Sequence, residues 1–209
     1  LTNMVCDSNA GGYFAPYMKF SGFDAIEIQG KAKKDVAIII DGKEGRVTIE
    51  TAPHEEVNSH LVAEQLTYLY AAEDTEEARQ KVAVVSAGKG AETSFWGILN
   101  ISFYDIRRKV ARLKHHGRDG LGTVFRDKKL KALVARVDHF DGLSNNPANP
   151  DKVAATGLKH HREMRDLDSH QCCMREVGTG NIIEVMDAYD LLPTENYRFG
   201  SHPKAFNLH

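Results

Sequence analysis

The sequence predicts an α+β fold, and three features of the chain favour this class. Apolar, β-branched runs typical of buried strands occur at 36–40, 81–85 and 130–137. Hairpins and helices follow one another in mixed order, without the regular βαβ units of a doubly wound sheet. The pattern beyond residue 150 is helical. We therefore expect a β-sheet-rich N-terminal domain, with two packed sheets and helices, followed by the beginning of an all-helical domain.

The first third of the chain predicts a hairpin and then a helix. The glycine-containing residues 8–14 lead into an apolar, strand-like segment. Residues 36–40 and the alternating residues 46–50 are separated by a short turn that contains two glycines, which is typical of a hairpin. Apolar residues recur near the helical period over 55–71, and the acidic stretch 73–77 then predicts an exposed turn.

The middle of the chain predicts two buried strands around a basic helix. The strand at 81–85 ends at a glycine turn. The basic segment 105–118 has helix-like apolar spacing up to Gly117, where the pattern breaks. The second strand, 130–137, follows it.

A Pro- and Asn-rich stretch at 143–150 predicts a linker between two domains. The expected boundaries are therefore 1–142 for the N-terminal domain and 151–209 for the start of the helical domain. Within the latter, we expect helices at 151–166 and 181–190.

Composition limits the class of protein. The chain has 209 residues, 42% of them hydrophobic, which is enough for a substantial core. A net charge of −2 gives no global attraction to nucleic acid or an anionic membrane, and no apolar run reaches membrane-spanning length. The cysteines, Cys6, Cys172 and Cys173, are odd in number and suggest no disulfide framework, so we expect a cytoplasmic location. Because the chain starts with Leu and stops without a helix-ending signal, we also expect a fragment of a longer polypeptide.

The first candidate site is the glycine-rich loop within 8–14, which contains Asn9, Gly11 and Gly12. Adjacent glycines expose consecutive backbone N–H groups that can bind phosphate or a polar heterocycle. An Asn side chain or carbonyl can add an oxygen ligand for a hard cation. The residues alone leave two alternatives, a simple tight turn and a ligand-binding loop.

The second candidate site is the glycine run Gly117, Gly120 and Gly122. A dinucleotide-binding motif must leave a strand and begin a helix, whereas we expect this run to follow a helix and lead into a strand. As a nucleotide signature the run is therefore weak.

Basic residues surround this run. Between 106 and 131 there are ten Lys or Arg residues against two Asp, an excess of eight positive charges. Such a cluster is either a solvated surface or a binding site for a polyanion, such as the phosphates of a cofactor. Nucleic acid is disfavoured because no aromatic residues alternate with the basic ones to stack on bases.

The remaining reactive residue types give no defensible site. Adjacent His and Cys pairs, such as His115–His116 and Cys172–Cys173, lack the spacing of a structural zinc site. The sequence contains no nucleophile, base or carboxylate pair that can be assigned to catalysis, and we name no catalytic residue.

These motifs resemble those of the tungsten-dependent aldehyde ferredoxin oxidoreductase family. That family carries Asn-Ser-Gly-Gly-aromatic-Phe where this chain has Asn9 to Phe14. It also carries a Gly-Arg-Gly-Gly-Val-Gly run that agrees in register with Gly117, Arg118, Gly120 and Gly122. A third shared element ends in Glu92, to which we assign a structural role in a turn. The blocks follow the family's order, closely over 1–137 and more loosely thereafter.

The resemblance implies a cofactor. Family members bind tungsten, or molybdenum in some relatives, through two pyranopterins whose phosphates share a magnesium ion, with a [4Fe–4S] cluster close by. The N-terminal domain provides the base on which the pterins lie, and the cluster ligands belong to later domains outside this chain. The implied reaction is oxidation of an aldehyde to a carboxylic acid, with electrons passed to ferredoxin or a partner subunit. By itself the fragment should be inactive.

Family positions map onto individual residues. The resemblance implies that Asn9 and His115 offer main-chain carbonyls to magnesium and that Lys114 keeps a positive charge toward phosphate. It further implies cofactor contacts in both glycine segments, namely at Gly11, Gly12, Gly117, Arg118 and Gly120.

Departures from the family pattern leave alternatives open. Lys114 stands where the family has an Arg, so the planar guanidinium that can bind phosphate through two hydrogen bonds is lost. Asp119 adds a negative charge where the family has Gly. These changes suggest a divergent branch, such as a benzoyl-CoA reductase-like active-site subunit or a non-catalytic assembly subunit. The expected partners are an electron-transfer protein, a small aldehyde or acyl substrate and, for assembly, a second copy in a homodimer. A polyanion-binding module is a third, weaker alternative, which heparin retention would test.

Overall fold

The computed structural model of the chain describes residues 5, 7–52, 58–140, 147–168 and 170–208. The chain forms two compact units, Leu1–Asn146 and Pro147–His209. The predicted boundaries at 142 and 151 stay a prediction.

Unit 1 combines strands and helices. Its described strands are β1 Val36–Asp41, β2 Arg46–Thr51, β3 Val82–Ser86, β4 Leu99–Asp105, β5 Val110–His116 and β6 Leu130–Arg136. Its described helices are α1 Phe14–Phe20, α2 Ser59–Tyr70, α3 Glu76–Gln80 and α4 Leu121–Asp127, with short 3₁₀ turns at Lys89–Glu92 and Arg118–Gly120. The α+β class is confirmed.

The described strands form one sheet in the order β2-β1-β6-β3-β4-β5. Strands β1 and β6 are parallel, and every other neighbouring pair is antiparallel. The expectation of two packed sheets was therefore wrong for the described residues. The physical reason is that β6 pairs with β1 on one side and β3 on the other, which joins the two groups of strands. Helices cover the faces that a second sheet would have covered.

Alternation along the central strands builds a core on each face of the sheet. On one face, Ile39, Val84 and Val134 pack with Val62 and Leu66 of α2. The other face carries a larger cluster with α1 and α4, whose buried members include Phe14, Tyr17, Ile40, Val85, Phe125 and Leu133. Both faces of the central strands are therefore buried, as their continuous apolar sequences require.

Within the predicted helix 105–118, residues 105–116 form part of a hairpin instead. Strand β4 ends at Asp105, whose carboxylate accepts hydrogen bonds from the N–H groups of Arg107 and Arg108 in the turn. Strand β5 then pairs with β4 from Val110 to His116. Because β5 is an edge strand with many exposed polar side chains, its few apolar residues matched a helical spacing by coincidence.

The N-terminal segment also differs from the prediction. Residues Phe14–Phe20 are helix α1, where we expected strand-like structure after the glycine loop. The hairpin of β1 and β2 and the strands β3 and β6 are confirmed. Helix α2 confirms the described part of the predicted helix, whose residues 55–57 lie outside the described residues.

Unit 2 is helical in its described residues. It contains α5 Pro150–Arg165, α6 Cys173–Glu176 and α7 Ile183–Ala188. Both predicted helices are present, the second of them shorter than expected. The Asn149 side chain caps α5 by accepting a hydrogen bond from the Lys152 N–H. None of the described helices combines the length and apolar character that crossing a bilayer requires.

Candidate functional site

The N-terminal glycine loop lies along the β4–β5 hairpin. The Tyr13 ring packs on Phe103 of β4, with centroids 4.8 Å apart. A Cβ added to Gly12 would lie 3.5 Å from Cγ2 of Ile101, also on β4. At the other end of the loop, the His116 ring hydrogen bonds to the main chain of Asn9. The loop is thus held at three points against one face of the hairpin.

This arrangement creates an open surface cavity of about 440 Å³, lined by Ser8, Asn9, Ile98, His115, His116 and Gly117. Three residues that the resemblance assigns to the cofactor, Asn9, His115 and Gly117, therefore surround the same space. Asn9 lies far from the other two in the sequence, and the fold brings it to the end of β5, where His115 and Gly117 lie.

The two glycines of the loop differ in environment. A Cβ on Gly11 would meet no atom within 4 Å, so its backbone faces open space that a ligand can approach. Gly12 has a backbone φ of +103°, a conformation that residues with a Cβ rarely adopt. Of the two, Gly11 is the one whose surroundings suit a ligand.

Lys114 and His116 share the face of β5 that meets the loop. Residues alternate along a strand, so His115 points to the opposite face. The Lys114 side chain is exposed and its residue pairs with Ile101, the neighbour of Gly12. A positive charge is therefore available next to the loop.

The second glycine run packs against protein. Gly117 has φ +86°, and a Cβ there would come within 2.5 Å of the Leu99 nitrogen. Gly120 has φ +82°, and its Cβ would lie 2.2 Å from the Phe95 carbonyl oxygen. These glycines allow the backbone before α4 to contact the segment before β4. The structure does not bring Gly120 to the cavity lining, and the Arg118 side chain lies outside the described part of the chain.

The order of elements around this run also differs from the prediction. The run follows strand β5 and begins helix α4, where we expected a helix before it and a strand after it. The element before the run was mispredicted because β5 was mistaken for a helix, and the element after it was mispredicted because the seven-residue helix α4 was not recognised. The glycine spacing still differs from that of a dinucleotide-binding motif.

His116 has an unusual electrostatic environment. Burial lowers the pKa of its imidazole, and the nearby Lys114 and His115 lower it further, while the hydrogen bond to Asn9 acts in the opposite direction. Its Nε2 atom is shielded from solvent and has no hydrogen-bond partner among the described residues. The sequence analysis considered this residue only in the pair His115–His116, which it rejected as a zinc site, and assigned it no role at the glycine run.

The His115 side chain points away from the loop. Its Nδ1 lies 2.6 Å from Oδ1 of Asn100 on β4, and its ring centroid lies 6.2 Å from that of His60 on α2. A role of His115 at the cavity would therefore use its main chain.

Several of the basic residues between 106 and 131 form ion pairs with carboxylates. Arg108 and Arg112 pair with Asp105 at the turn, and Lys109 pairs with Glu76. This pairing partly neutralises one end of the cluster, which weakens the case for a polyanion-binding module.

Arg126 is buried and joins three parts of the chain. Its guanidinium contacts the carboxylates of Asp35 and Glu92, and Nη1 donates to the Leu130 carbonyl. Glu92 thereby has the structural role that the sequence suggested, but sequence reasoning missed its partners, because ion pairs between distant residues leave no local pattern.

Within the described ranges, no three His, Cys, Asp or Glu side chains come together as a metal-binding group.

Comparison with known proteins identifies the family. The family "Aldehyde ferredoxin oxidoreductase, N-terminal domain" matches residues 1–137. The chain belongs to this family. Membership of the aldehyde ferredoxin oxidoreductase family confirms the resemblance, and the match covers nearly all of unit 1.

Individual relatives extend the similarity through both units. The tungsten-containing aldehyde ferredoxin oxidoreductase of Pyrococcus furiosus is 28% identical over 209 residues, which are 99% of this chain and 31% of the relative. The corresponding protein of Thermococcus kodakarensis is 28% identical over 208 residues, 98% of this chain and 31% of the relative. The chain thus spans about a third of the length of these aldehyde ferredoxin oxidoreductases.

A solved structure is also similar. It is an active-site complex of benzoyl coenzyme A reductase with 1,5-dienoyl-CoA, with 26% identity and a TM-score of 0.46. The likeness covers 61% of this chain and 17% of that chain.

Proposed function

We propose that unit 1 is the cofactor-binding part of a tungsten or molybdenum bis-pyranopterin oxidoreductase that oxidises aldehydes to carboxylic acids. The observation that carries the proposal is the cavity shared by Asn9 and the end of β5, because it joins two segments that the family uses for its cofactor. Membership of the family and relatives named as tungsten-containing enzymes support it.

The residues around the cavity fit such a group. Main-chain oxygens of Asn9 and His115 are the hard ligands that magnesium prefers, and Lys114 supplies a positive charge for phosphate. The open space beside Gly11 admits a bulky ligand to the backbone. Contacts from Gly12, Gly117, Arg118 and Gly120 stay predictions, and the packing of Gly120 against Phe95 gives that glycine a structural explanation as well.

The bound metallopterin would supply the two-electron redox chemistry. The protein's part in this unit is to bind, orient and neutralise the cofactor, and we name no catalytic residue. We further propose that electrons leave through a [4Fe–4S] cluster, held by residues outside this chain, to ferredoxin or an electron-transfer subunit. A cytoplasmic location and a small aldehyde or acyl substrate belong to the same proposal.

The test is the cofactor content of the complete polypeptide, purified from cells supplied with tungstate and molybdate. We expect tungsten or molybdenum and pterin in stoichiometric amounts, measured by elemental analysis and by fluorescence of the oxidised pterin. Lys114→Glu should reduce pterin retention about tenfold or more by placing a negative charge near phosphate. Lys34→Glu, the same charge change at an exposed residue outside the cavity, is the matched control. A folded wild-type protein without metal and pterin would contradict the proposal.

A further inference from the structure

Strand β2 lies at one edge of the described sheet, and its outer side carries main-chain groups that no described strand pairs. Its ladder with β1 runs over Arg46–Thr51 without a shift in register. Just beyond it, the Ala52 N–H donates to the Asp35 carbonyl. Hydrogen-bonded and non-hydrogen-bonded pairs alternate along an antiparallel ladder. Counted from that bond, the N–H and C=O groups of Val47 and Ile49 point away from β1, toward the open edge.

This edge lacks the features that usually protect a sheet from pairing with another chain. Edge strands are commonly protected by Pro, by Lys, by a bulge or by very short length. Strand β2 has six residues, none of them Pro or Lys. The side chains of Val47 and Ile49 are 42% and 70% exposed. A regular edge with exposed β-branched side chains is a template for a further strand.

The charges of β2 are self-complementary about Thr48. Arg46 and Glu50 lie two residues before and two residues after it. When two copies pair antiparallel with Thr48 opposite Thr48, each Arg46 lies opposite Glu50 of the second copy. In the same register Val47 lies opposite Ile49, and their outward main-chain groups form the hydrogen-bonded pairs. One register therefore satisfies both the charges and the alternation of the ladder.

The other edge of the described sheet, β5, is unsuited to such pairing. Its exposed side chains include the basic residues Arg112 and Lys114. Like charges that face each other destabilise a ladder. The glycine loop also lies along the β4–β5 hairpin. Of the two edges, β2 is the one whose chemistry matches a second copy of itself.

We propose that β2 is an interaction surface for a second copy of this chain. Two β2 strands pair antiparallel about Thr48 and join two sheets into one. The contact uses no residue of the candidate cavity, so it goes beyond the proposed function and does not depend on it. A ladder of six residues buries less surface than a standard protein–protein interface, and we expect the contact to be reversible.

Cysteine cross-linking of the complete polypeptide tests the register. In Thr48→Cys the two thiols occupy a non-hydrogen-bonded pair whose Cα atoms lie about 4.5 Å apart, within the range of a disulfide. Thr51→Cys, at an exposed position of the same strand, is the matched control. Its opposite residue is Gly45 of the second copy, so the two control thiols lie roughly 20 Å apart.

The expected result is a covalent dimer specific to residue 48. After oxidation with diamide, we expect at least about tenfold more dimer from Thr48→Cys than from Thr51→Cys or the wild type, whose native cysteines set the background. Mass spectrometry of the disulfide-linked peptide that contains residue 48 from both chains identifies the contact.

Charge reversal tests the complementarity. In the Thr48→Cys background, Glu50→Arg or Arg46→Glu places like charges opposite each other twice and should lower cross-linking about fivefold or more. A mixture of the two variants again pairs opposite charges at both positions, so mixed dimers should recover most of the loss. Mixing does not rescue a misfolded chain, and circular dichroism of each variant checks its fold.

Equal cross-linking of Thr48→Cys and Thr51→Cys would overturn the interface, and this is also the result expected if another segment of the complete polypeptide covers β2. Cross-linking that survives both charge reversals, or that the mixture of folded variants does not restore, would overturn the register defined by the charges. These results leave the metal and pterin content untouched, so the proposed function would stand or fall separately.

Discussion

At the scale of single residues, Arg126 connects α4 with the segments that carry Asp35 and Glu92. It is 4% exposed, whereas its partners Asp35 and Glu92 are partly exposed. We expect Arg126→Met to lower the free energy of unfolding by about 2–4 kcal/mol, because two carboxylates lose their shared counter-ion near a buried position. Urea denaturation measures the change. Arg107→Met, at an exposed turn, should change it by less than about 0.5 kcal/mol, and equal effects would contradict the assigned role of Arg126.

Asp41, at the end of β1, links stability to pH. Burial acts to raise the pKa of its carboxyl, but hydrogen bonds from Arg136 and from the N–H groups of Glu44 and Lys43 outweigh burial, so the pKa is lowered. A lowered pKa contributes stability that is present above the unfolded value, near 4, and is lost as the pH falls through the folded value.

We therefore expect the free energy of unfolding to fall more steeply below about pH 4 in the wild type than in Asp41→Asn, which should be less stable at pH 7. Urea titrations between pH 2.5 and 7 measure both slopes. Asp24→Asn, at an exposed position, should keep the wild-type slope. Parallel curves for wild type and Asp41→Asn would refute the linkage.

At the scale of elements, the glycine turn between β5 and α4 fixes where the helix begins. Gly120→Ala combines an unfavourable φ of +82° with a Cβ placed 2.2 Å from the Phe95 carbonyl oxygen. Gly30→Ala, at φ +69°, has the unfavourable backbone conformation but no steric clash, because no atom lies within 4 Å of the added Cβ. We expect about 1 kcal/mol of destabilisation for Gly30→Ala and at least about 2 kcal/mol more for Gly120→Ala, measured by thermal and urea unfolding. Equal losses would show that the turn can move away from Phe95.

Sequence patterns identified the elements whose burial is uniform. Strands β1, β3 and β6 are buried on both faces, so their apolar runs were unambiguous. Strand β5 lies at an edge, where exposed basic residues hide the alternation, and it was mistaken for a helix. The glycine loop was recognisable because its motif is local. The Arg126 network was not, because its partners Asp35 and Glu92 are 91 and 34 residues away.

At the scale of the whole molecule, the two units differ in how much apolar surface they bury. Unit 1 has a core on each face of its sheet. In the described residues of unit 2, the buried apolar side chains are Cys172 and Ala205, while large side chains such as Val153, Leu158 and Tyr189 are exposed. So little burial cannot offset the conformational entropy of ordering the segment.

We expect residues 147–209, produced alone, to unfold without a cooperative transition, whereas residues 1–146 should unfold cooperatively. Circular dichroism during heating distinguishes the two behaviours, and binding of a fluorescent apolar dye should be strong for the first segment and weak for the second. A sharp, reversible melting transition of the shorter segment would contradict this expectation.

The central position of β6 determines when the sheet can be completed during translation. It is the last described strand of the sheet to leave the ribosome, yet it lies between β1 and β3. Until residues 130–136 emerge, the nascent hairpin of β1 and β2 and the meander of β3 to β5 each present an unpaired strand edge. A ribosome that stalls before Leu130 would therefore hold a nascent chain whose exposed strand edges favour aggregation. A chaperone that binds the nascent chain before β6 emerges would protect these edges.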